Sequence, residues 1–250
     1  RLYQAYLQAF ADYPVRLSLS PEGFETMLRR RGYAAAASWG AFAPGEEIPA
    51  AFMLNGLRSW RGKLTAYDRM TGAVPARPQK GLTRQLFAYT REGLEQKGTE
   101  QYLLEVLQNN EAALNPYQQQ GFSVLRPFTG FSRRSESFPL QTVGLFAGLS
   151  LQVVDAFSPA LWSLFQSFFD FSPSWQNAAP SLEAVGGQFV YTLARWEGEI
   201  LGYGLVEKDS GDIPQLAVHK GHRRKGVASA LLSALAPHSH AWEIKVINVE

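Results

Sequence analysis

Apolar residues first recur at Tyr3, Tyr6, Leu7 and Phe10, the i, i+3, i+4, i+7 rhythm of an amphipathic helix. Ser20-Pro21 then supplies an N-cap and a first-turn proline for a second helix carrying Phe24, Met27 and Leu28 on one face, with Gly32 as its stop. The runs "AAASWGAF" and "PAAFMLNGL" read as strands around the turn "PGEE", and "LTAYDRMTGAV" reads as a third strand. After "PARPQKG" comes a helix with Leu82, Leu86, Tyr89 and Gly93 along one face. "QYLLEVLQ" reads as a strand, "NEAALNPYQQQ" as a short helix ending at Gly121, and "FSVLRPF" as a returning strand.

The second half repeats this order. Ser158-Pro159 caps a helix with Leu161, Leu164, Phe165, Phe168 and Phe169 on one stripe. "FVYTLARW", the turn "EGE" and "ILGYGLV" make a hairpin, and "IPQLAVH" is the next strand. The basic turn "GHRRKG" leads into a helix with Val227, Leu231 and Leu235, and "WEIKVINV" closes the series. Gly81 and Gly226 hold the same place in the two copies, one ordinary domain length apart. The pattern predicts an internal duplication of an α/β unit. The polar, proline-bearing stretch at 133–141 sets the expected boundary, giving domains 1–138 and 139–250. Both ends read as trimmed, because the chain opens on helical periodicity and closes on an apolar strand.

Composition narrows the classes. With 46% hydrophobic and 18% charged residues, the chain has the makings of a substantial core, and disorder is not expected. A net charge of +2 argues against a general nucleic-acid binder. The absence of cysteine excludes disulfides, thiolate metal sites and a cysteine nucleophile. The stretch "VGLFAGLSLQVV" is too short and interrupted to span a bilayer, and no signal-peptide pattern opens the chain. The expectation is a cytoplasmic protein with no nucleic-acid or membrane partner.

A strand followed by a basic glycine turn and a helix start suits an anion. The first helical turn leaves N–H groups unmatched, the dipole favours negative charge, and glycine permits close approach. Gly221 and Gly226 have P-loop separation, but Val227-Ala228 stand where Lys and Ser/Thr belong, so an NTPase is not expected. No G-x-G-x-x-G occurs, which argues against a dinucleotide site. Arg223-Arg224-Lys225-Gly226-Val227-Ala228, after a strand ending in Val218-His219, fits Arg/Gln-x-x-Gly-x-Gly/Ala. This resembles the acetyl-CoA signature of the GCN5-related N-acetyltransferases (GNAT). In the first half, Val106, Asn110, Ala113, Tyr117, Gly121 and Phe122 resemble that family's later motif, and "TGAVP", with Ala73 and Val74, its strand before the loop.

The resemblance implies two tandem GNAT-like domains. Each would be a mixed, mostly antiparallel sheet with splayed central strands, flanked by helices. The splayed pairs would be 66–74 with 101–108 and 213–219 with 241–248. Pantetheine would lie in each gap and pyrophosphate on the glycine turn. The first copy would lack its first strand and carry a weakened turn: Lys80, Gly81, Leu82 and Thr83 remain, but Pro78 replaces the Arg or Gln, and proline offers no N–H. The second keeps the turn and ends before the later motif.

The implied activity is direct acetyl transfer from acetyl-CoA to the amine of a small molecule, without a metal. Such an amine is mostly protonated at neutral pH, so a base must act on it and an acid on the departing thiolate. Tyr117 stands at the family's acid position. Asp68 and Glu105 are base candidates in the first copy, Glu207 and Asp212 in the second, and His219 has no expected proton role. His222, His238 and His240 have no partners at metal-ligand spacing. Trp162, Phe171 and Trp175 form a second aromatic face suited to an acceptor-pocket wall or a domain interface. The expected state is a monomer whose two copies replace a homodimer. The alternative is a non-catalytic acyl-CoA-binding or interaction module on the same duplicated scaffold.

Overall fold

A computed structural model of the chain describes residues 1–11, 19–74, 81–134 and 148–250. They form two compact units, Arg1–Phe122 and Ser123–Glu250.

The first unit opens with helices α1 (Leu2–Ala9) and α2 (Pro21–Arg30). Ser20 caps α2 as its sequence predicts, the hydroxyl accepting from the Gly23 N–H at 3.1 Å. Strands β1 (Trp39–Ala41), β2 (Ala51–Trp60), β3 (Lys63–Ala73) and β4 (Gln101–Leu104) form one sheet in that order. The β2–β3 hairpin turns through Arg61 and Gly62, both at positive φ (51° and 80°), the handedness that a two-residue loop between twisted strands requires. Helix α3 (Leu82–Gln96) links β3 to β4 as a crossover, so these two strands run parallel. Helix α4 (Glu111–Gln119) follows. On one face of the sheet Tyr6, Phe24 and Phe52 pack together. On the other, Met53, Leu86 and Phe87 do so.

The second unit begins with β5 (Thr129–Arg134). After it come β6 (Ser150–Val154), the short helices α5 (Pro159–Phe165) and α6 (Ala179–Glu183), and the hairpin β7 (Phe189–Trp196) and β8 (Glu199–Glu207). Ser158 caps α5 through the Leu161 N–H at 3.3 Å. The hairpin turns at Glu197-Gly198, again at positive φ. The chain continues through β9 (Asp212–Ile213), β10 (Gln215–Val218), α7 (Val227–Leu235) and β11 (Glu243–Val249). One sheet has the order β10-β8-β7-β6 and the other β5-β11-β9. Phe165 stacks on Tyr203 with ring centroids 3.7 Å apart at the centre of an aromatic core.

Three details depart from the sequence expectation. Residues 35–37 form a turn of 3-10 helix, so β1 is only three residues long. The expected strand at 122–128 is not one; the strand lies later, at β5. Because β5 pairs antiparallel with β11, the units divide at Phe122/Ser123, ahead of the stretch chosen from polarity. Residues 135–141 of that stretch lie outside the described residues.

Candidate functional site

Each unit contains a fork between two parallel strands. In the first, β3 and β4 pair from Thr65↔Gln101 to Asp68↔Leu104; β4 then ends while β3 continues to Ala73. In the second, Pro214 splits what the sequence reads as one strand. Ahead of it, β9 pairs with β11 (Lys245↔Asp212, Val246↔Ile213). Beyond it, β10 pairs with β8 and leaves β11. Proline has no N–H for a ladder, so the break falls where pairing must stop.

Strand register decides which backbone groups face each gap. The His219 N–H bonds to the Leu201 carbonyl at 2.7 Å, so the alternate residues Leu216 and Val218 turn their backbone groups away from β8. In the first unit the Val74 N–H closes on the Ala50 carbonyl at 2.8 Å, which turns Thr71 and Ala73 toward the gap. Of the pair Ala73 and Val74, only Ala73 is so placed.

The glycine turn of the second unit lies at the mouth of its fork. Arg224 (φ 60°) and Gly226 (φ 84°) are both left-handed, and Gly226 caps α7. The N–H groups of Val227, Ala228 and Ser229 precede the first intrahelical bond, from the Ala230 N–H to the Gly226 carbonyl. Among the described residues, no backbone acceptor meets those of Arg224, Lys225 or Gly226. A Cβ on Gly226 would project into open space. That space is a cleft of about 790 Å³ lined by Tyr203, Leu216, Val218, Gly226, Ala228 and Asn248, among others.

The charged side chains divide their roles. Arg223 is turned inward: Nε donates to the Val218 carbonyl (3.1 Å), Nη2 to the Phe168 carbonyl (2.9 Å) and Nη1 to Asp170 (3.0 Å). These bonds form a clamp that ties the turn to the segment after α5. Lys225 bonds to the Gly221 carbonyl at 3.2 Å. Arg224 is exposed, lines the cleft and makes no ion pair among the described residues. The His219 ring accepts from the Gly221 N–H at 3.2 Å and packs edge-on against Phe168.

Neither base candidate of the second copy lines this cleft. Glu207 accepts from Ser210, and Asp212 lies 3.9 Å from Lys245. The cleft's acidic residue, Asp170, is ion-paired with Arg223 at 2.9 Å. Tyr203 donates to Gln215 at 2.6 Å, and burial holds its hydroxyl protonated. Trp162 and Phe171 line a cavity of about 480 Å³, while Trp175 is buried in the core.

The first unit brings two predicted residues together. Tyr117 donates to Asp68 Oδ2 at 2.9 Å, and Thr71 donates to the same oxygen at 2.6 Å. Asp68 is buried; desolvation raises its pKa above the ordinary carboxylate value, and the Thr71 and Tyr117 hydroxyls pull it partly back. Its Oδ1 is also buried, and the Met70 backbone N–H reaches the same carboxyl. Glu105 lies just past β4 and bonds to the buried Tyr67, whose pKa burial drives upward. Asn110 caps α4, its Oδ1 accepting from the Ala113 N–H at 3.2 Å. Gly81 caps α3 at φ 82°, matching Gly226, with the N–H groups of Leu82 and Thr83 in its first turn. Lys80 lies outside the described residues, as do Arg77 and Pro78. Sequence reasoning passed over Asp170, although a single acid inside an aromatic run was a signal.

Residues 154–250 match the model of the acetyltransferase (GNAT) family. The family match thus falls within the second unit, and the chain as a whole has a tandem GNAT-like fold. A tandem GNAT protein from the clavulanic acid biosynthesis pathway superposes with TM-score 0.68 at 19% identity, over 99% of this chain and 85% of its own. The GCN5-related glucosamine N-acetyltransferase region of a fungal multi-domain GH3 β-N-acetylglucosaminidase gives 0.71 at 13% identity, over 99% of this chain but 34% of that one. A putative acetyltransferase from Pyrococcus horikoshii gives 0.58 at 18% identity, over 97% and 73%. No curated protein matches the chain. Among the described residues, no helix is long and apolar enough to cross a membrane, and no group of three His, Asp or Glu could hold a metal ion.

Proposed function

We propose that the chain is an acetyl-CoA-dependent N-acetyltransferase acting on the amine of a small molecule by direct transfer. One observation carries the reading: in the second unit, a strand fork and a left-handed glycine turn with unmatched N–H groups open into the same cleft. The residues there fit acetyl-CoA. The N–H groups of Arg224 to Ser229 and the side chain of Arg224 suit a pyrophosphate. The Leu216 and Val218 N–H groups suit the amides of an extended chain lying along β10. Gly226 leaves open the space a side chain would fill. When bound, acetyl-CoA supplies the acetyl thioester.

In this reading the first copy also takes acetyl-CoA, in its own gap, and transfer there uses that copy's proton groups. Asp68 is the base in this reading, its buried carboxyl held by the Thr71 and Tyr117 hydroxyls. Tyr117 is the acid, one hydrogen bond from the carboxyl that has taken up the proton. Glu105, held by Tyr67, is a second carboxylate at the fork. Ala73, Gly81, Leu82, Thr83 and Asn110 frame the first copy's cofactor gap in this reading, with Lys80 as its cation. A second reading applies to the second unit alone. Asp170 and Tyr203 are both committed to other partners there, which favours a unit that binds the co-substrate without catalysing transfer. The co-substrate is an intracellular metabolite, which supports a cytoplasmic setting. The tandem fold supports a monomer whose two copies replace a homodimer.

Calorimetric titration with CoA, together with thiol release from acetyl-CoA in the presence of small amines, tests the proposal. The expected result is one strong CoA site and amine-dependent release. CoA binding without release for any amine supports the second reading for the whole chain. No CoA binding overturns both.

A further inference from the structure

The cavity of about 480 Å³ in the second unit adjoins the cleft at the glycine turn. The two share Phe169, Asp170, Phe171, Pro173 and Gln215 as lining. Strand β10 runs from Gln215 to Val218 and then enters the turn. In the transferase reading, a pantetheine chain that leaves the turn along the Val218 and Leu216 N–H groups therefore arrives at Gln215, where the two cavities meet.

The shared wall is built from irregular chain. Residues 169–174 form neither helix nor strand, yet three elements hold them and their flanks. Arg223 holds the Phe168 carbonyl and Asp170. Arg126, ahead of β5, holds the Ser172 and Pro173 carbonyls at 2.7 and 3.2 Å. Gln215 Nε2 holds the Asn177 carbonyl at 2.6 Å. A wall fixed from three sides gives a cavity that exists before a ligand arrives.

The lining defines the ligand's chemistry. Trp162, Phe169, Phe171, Pro173 and Pro180 make aromatic and apolar walls. Among the described residues that line the cavity, Asp170 alone is charged, so a carboxylate or phosphate on the ligand would meet no cation there. Both oxygens of Asp170 lie against one nitrogen, Arg223 Nη1, at 3.0 and 2.9 Å, and the side chain is 60% exposed, which leaves lone pairs for a further donor. The pairing also has a chemical use. A lone carboxylate favours the protonated amine, which cannot attack a thioester; one already matched by arginine accepts a hydrogen bond with a weaker hold on that proton.

We propose that this cavity takes a primary amine on an aromatic or apolar body, of the phenethylamine or tryptamine kind, with its nitrogen at Asp170. Asp170 is here a binding group and not a base. This deepens the transferase reading and rests on it for the co-substrate alongside.

The test is calorimetry on the full chain in the presence of CoA. Phenethylamine and tryptamine are compared with ethylamine, which lacks the ring, and with phenylalanine and tryptophan, which add a carboxylate to the same bodies. At least one ring amine should bind about tenfold or more tighter than both ethylamine and its own amino acid. Failure of either comparison for both ring amines overturns the site, and neither comparison requires a variant. Ala179 lines this cavity and not the cleft, so Ala179→Trp should fill it and abolish ring-amine binding. Binding that survives in a folded Ala179→Trp overturns the location. Thiol release from acetyl-CoA gives a separate answer. Release with ring amines that Ala179→Trp leaves unchanged would keep the transferase and sink this site. Ring-amine binding that Ala179→Trp abolishes, without release for any amine, would keep the site and sink the transferase.

Discussion

Tyr117 and Asp68 lie 49 positions apart in the chain and 2.9 Å apart in the fold, with the phenol donating to a buried carboxyl oxygen. If this pair handles protons, Tyr117→Phe should lower turnover by about 10²-fold with CoA affinity little changed. It should also cost about 1–2 kcal/mol of stability, because Oδ2 loses one of the two hydroxyls it accepts from. Steady-state kinetics and urea denaturation report the two effects separately. Wild-type turnover in the variant would reduce Tyr117 to a packing residue.

Asp68 makes stability depend on pH with a definite sign. Its folded pKa lies above the ordinary carboxylate value, chiefly through burial. The folded chain therefore holds this proton to higher pH than the unfolded chain does. The favourable contribution is complete below the unfolded value and is lost as pH rises through the folded one. Asp68→Asn should consequently gain on the wild type as pH climbs, which denaturation at about pH 4 and about pH 7 would reveal. A constant difference across that span would show that Asp68 ionises as freely folded as unfolded.

Gly226→Val should separate binding from folding. The left-handed conformation costs a β-branched residue about 1–2 kcal/mol. The new side chain meets no protein atom within 4 Å at its Cβ and projects into the cleft instead. CoA affinity should fall by at least about tenfold, roughly 1.4 kcal/mol, while the circular dichroism spectrum stays native. A strong site that instead follows substitutions at Gly81 would place CoA in the first unit.

The neighbouring arginines should behave differently. Arg223→Ala removes a guanidinium that holds two carbonyls and Asp170, so destabilisation of about 1.5–3 kcal/mol should accompany any loss of CoA binding. Arg224→Ala should weaken CoA binding, increasingly at low salt, with the melting temperature unmoved. Equal melting temperatures for the two variants would show that the Arg223 clamp contributes little.

Local chemistry was legible in the sequence wherever one short stretch decides the outcome. Ser20 and Ser158 announce their helices, Glu197-Gly198 its hairpin, and Gly81 and Gly226 their left-handed caps. Relationships between distant stretches were not. The charge of Arg223 is plain on the page, but that it faces Phe168 and Asp170 is a matter of tertiary packing. The pairing of Tyr117 with Asp68 depends on strand register. The β5 strand was missed because the apolar "FSVLRPF" just before it carries the stronger strand signal, yet Val124 and Leu125 are exposed and unpaired in regular structure.

That strand bears on how the chain can be taken apart. By order of elements, β5 is the tail of the first repeat; by hydrogen bonding, it covers one side of β11 across Thr129–Arg134. A fragment starting at residue 139 would expose that side of β11 as a raw edge, open to pairing with another molecule. The repeat seen in the sequence and the piece that can be excised are thus different objects, and a fragment of the second unit that keeps β11 covered must begin ahead of Thr129.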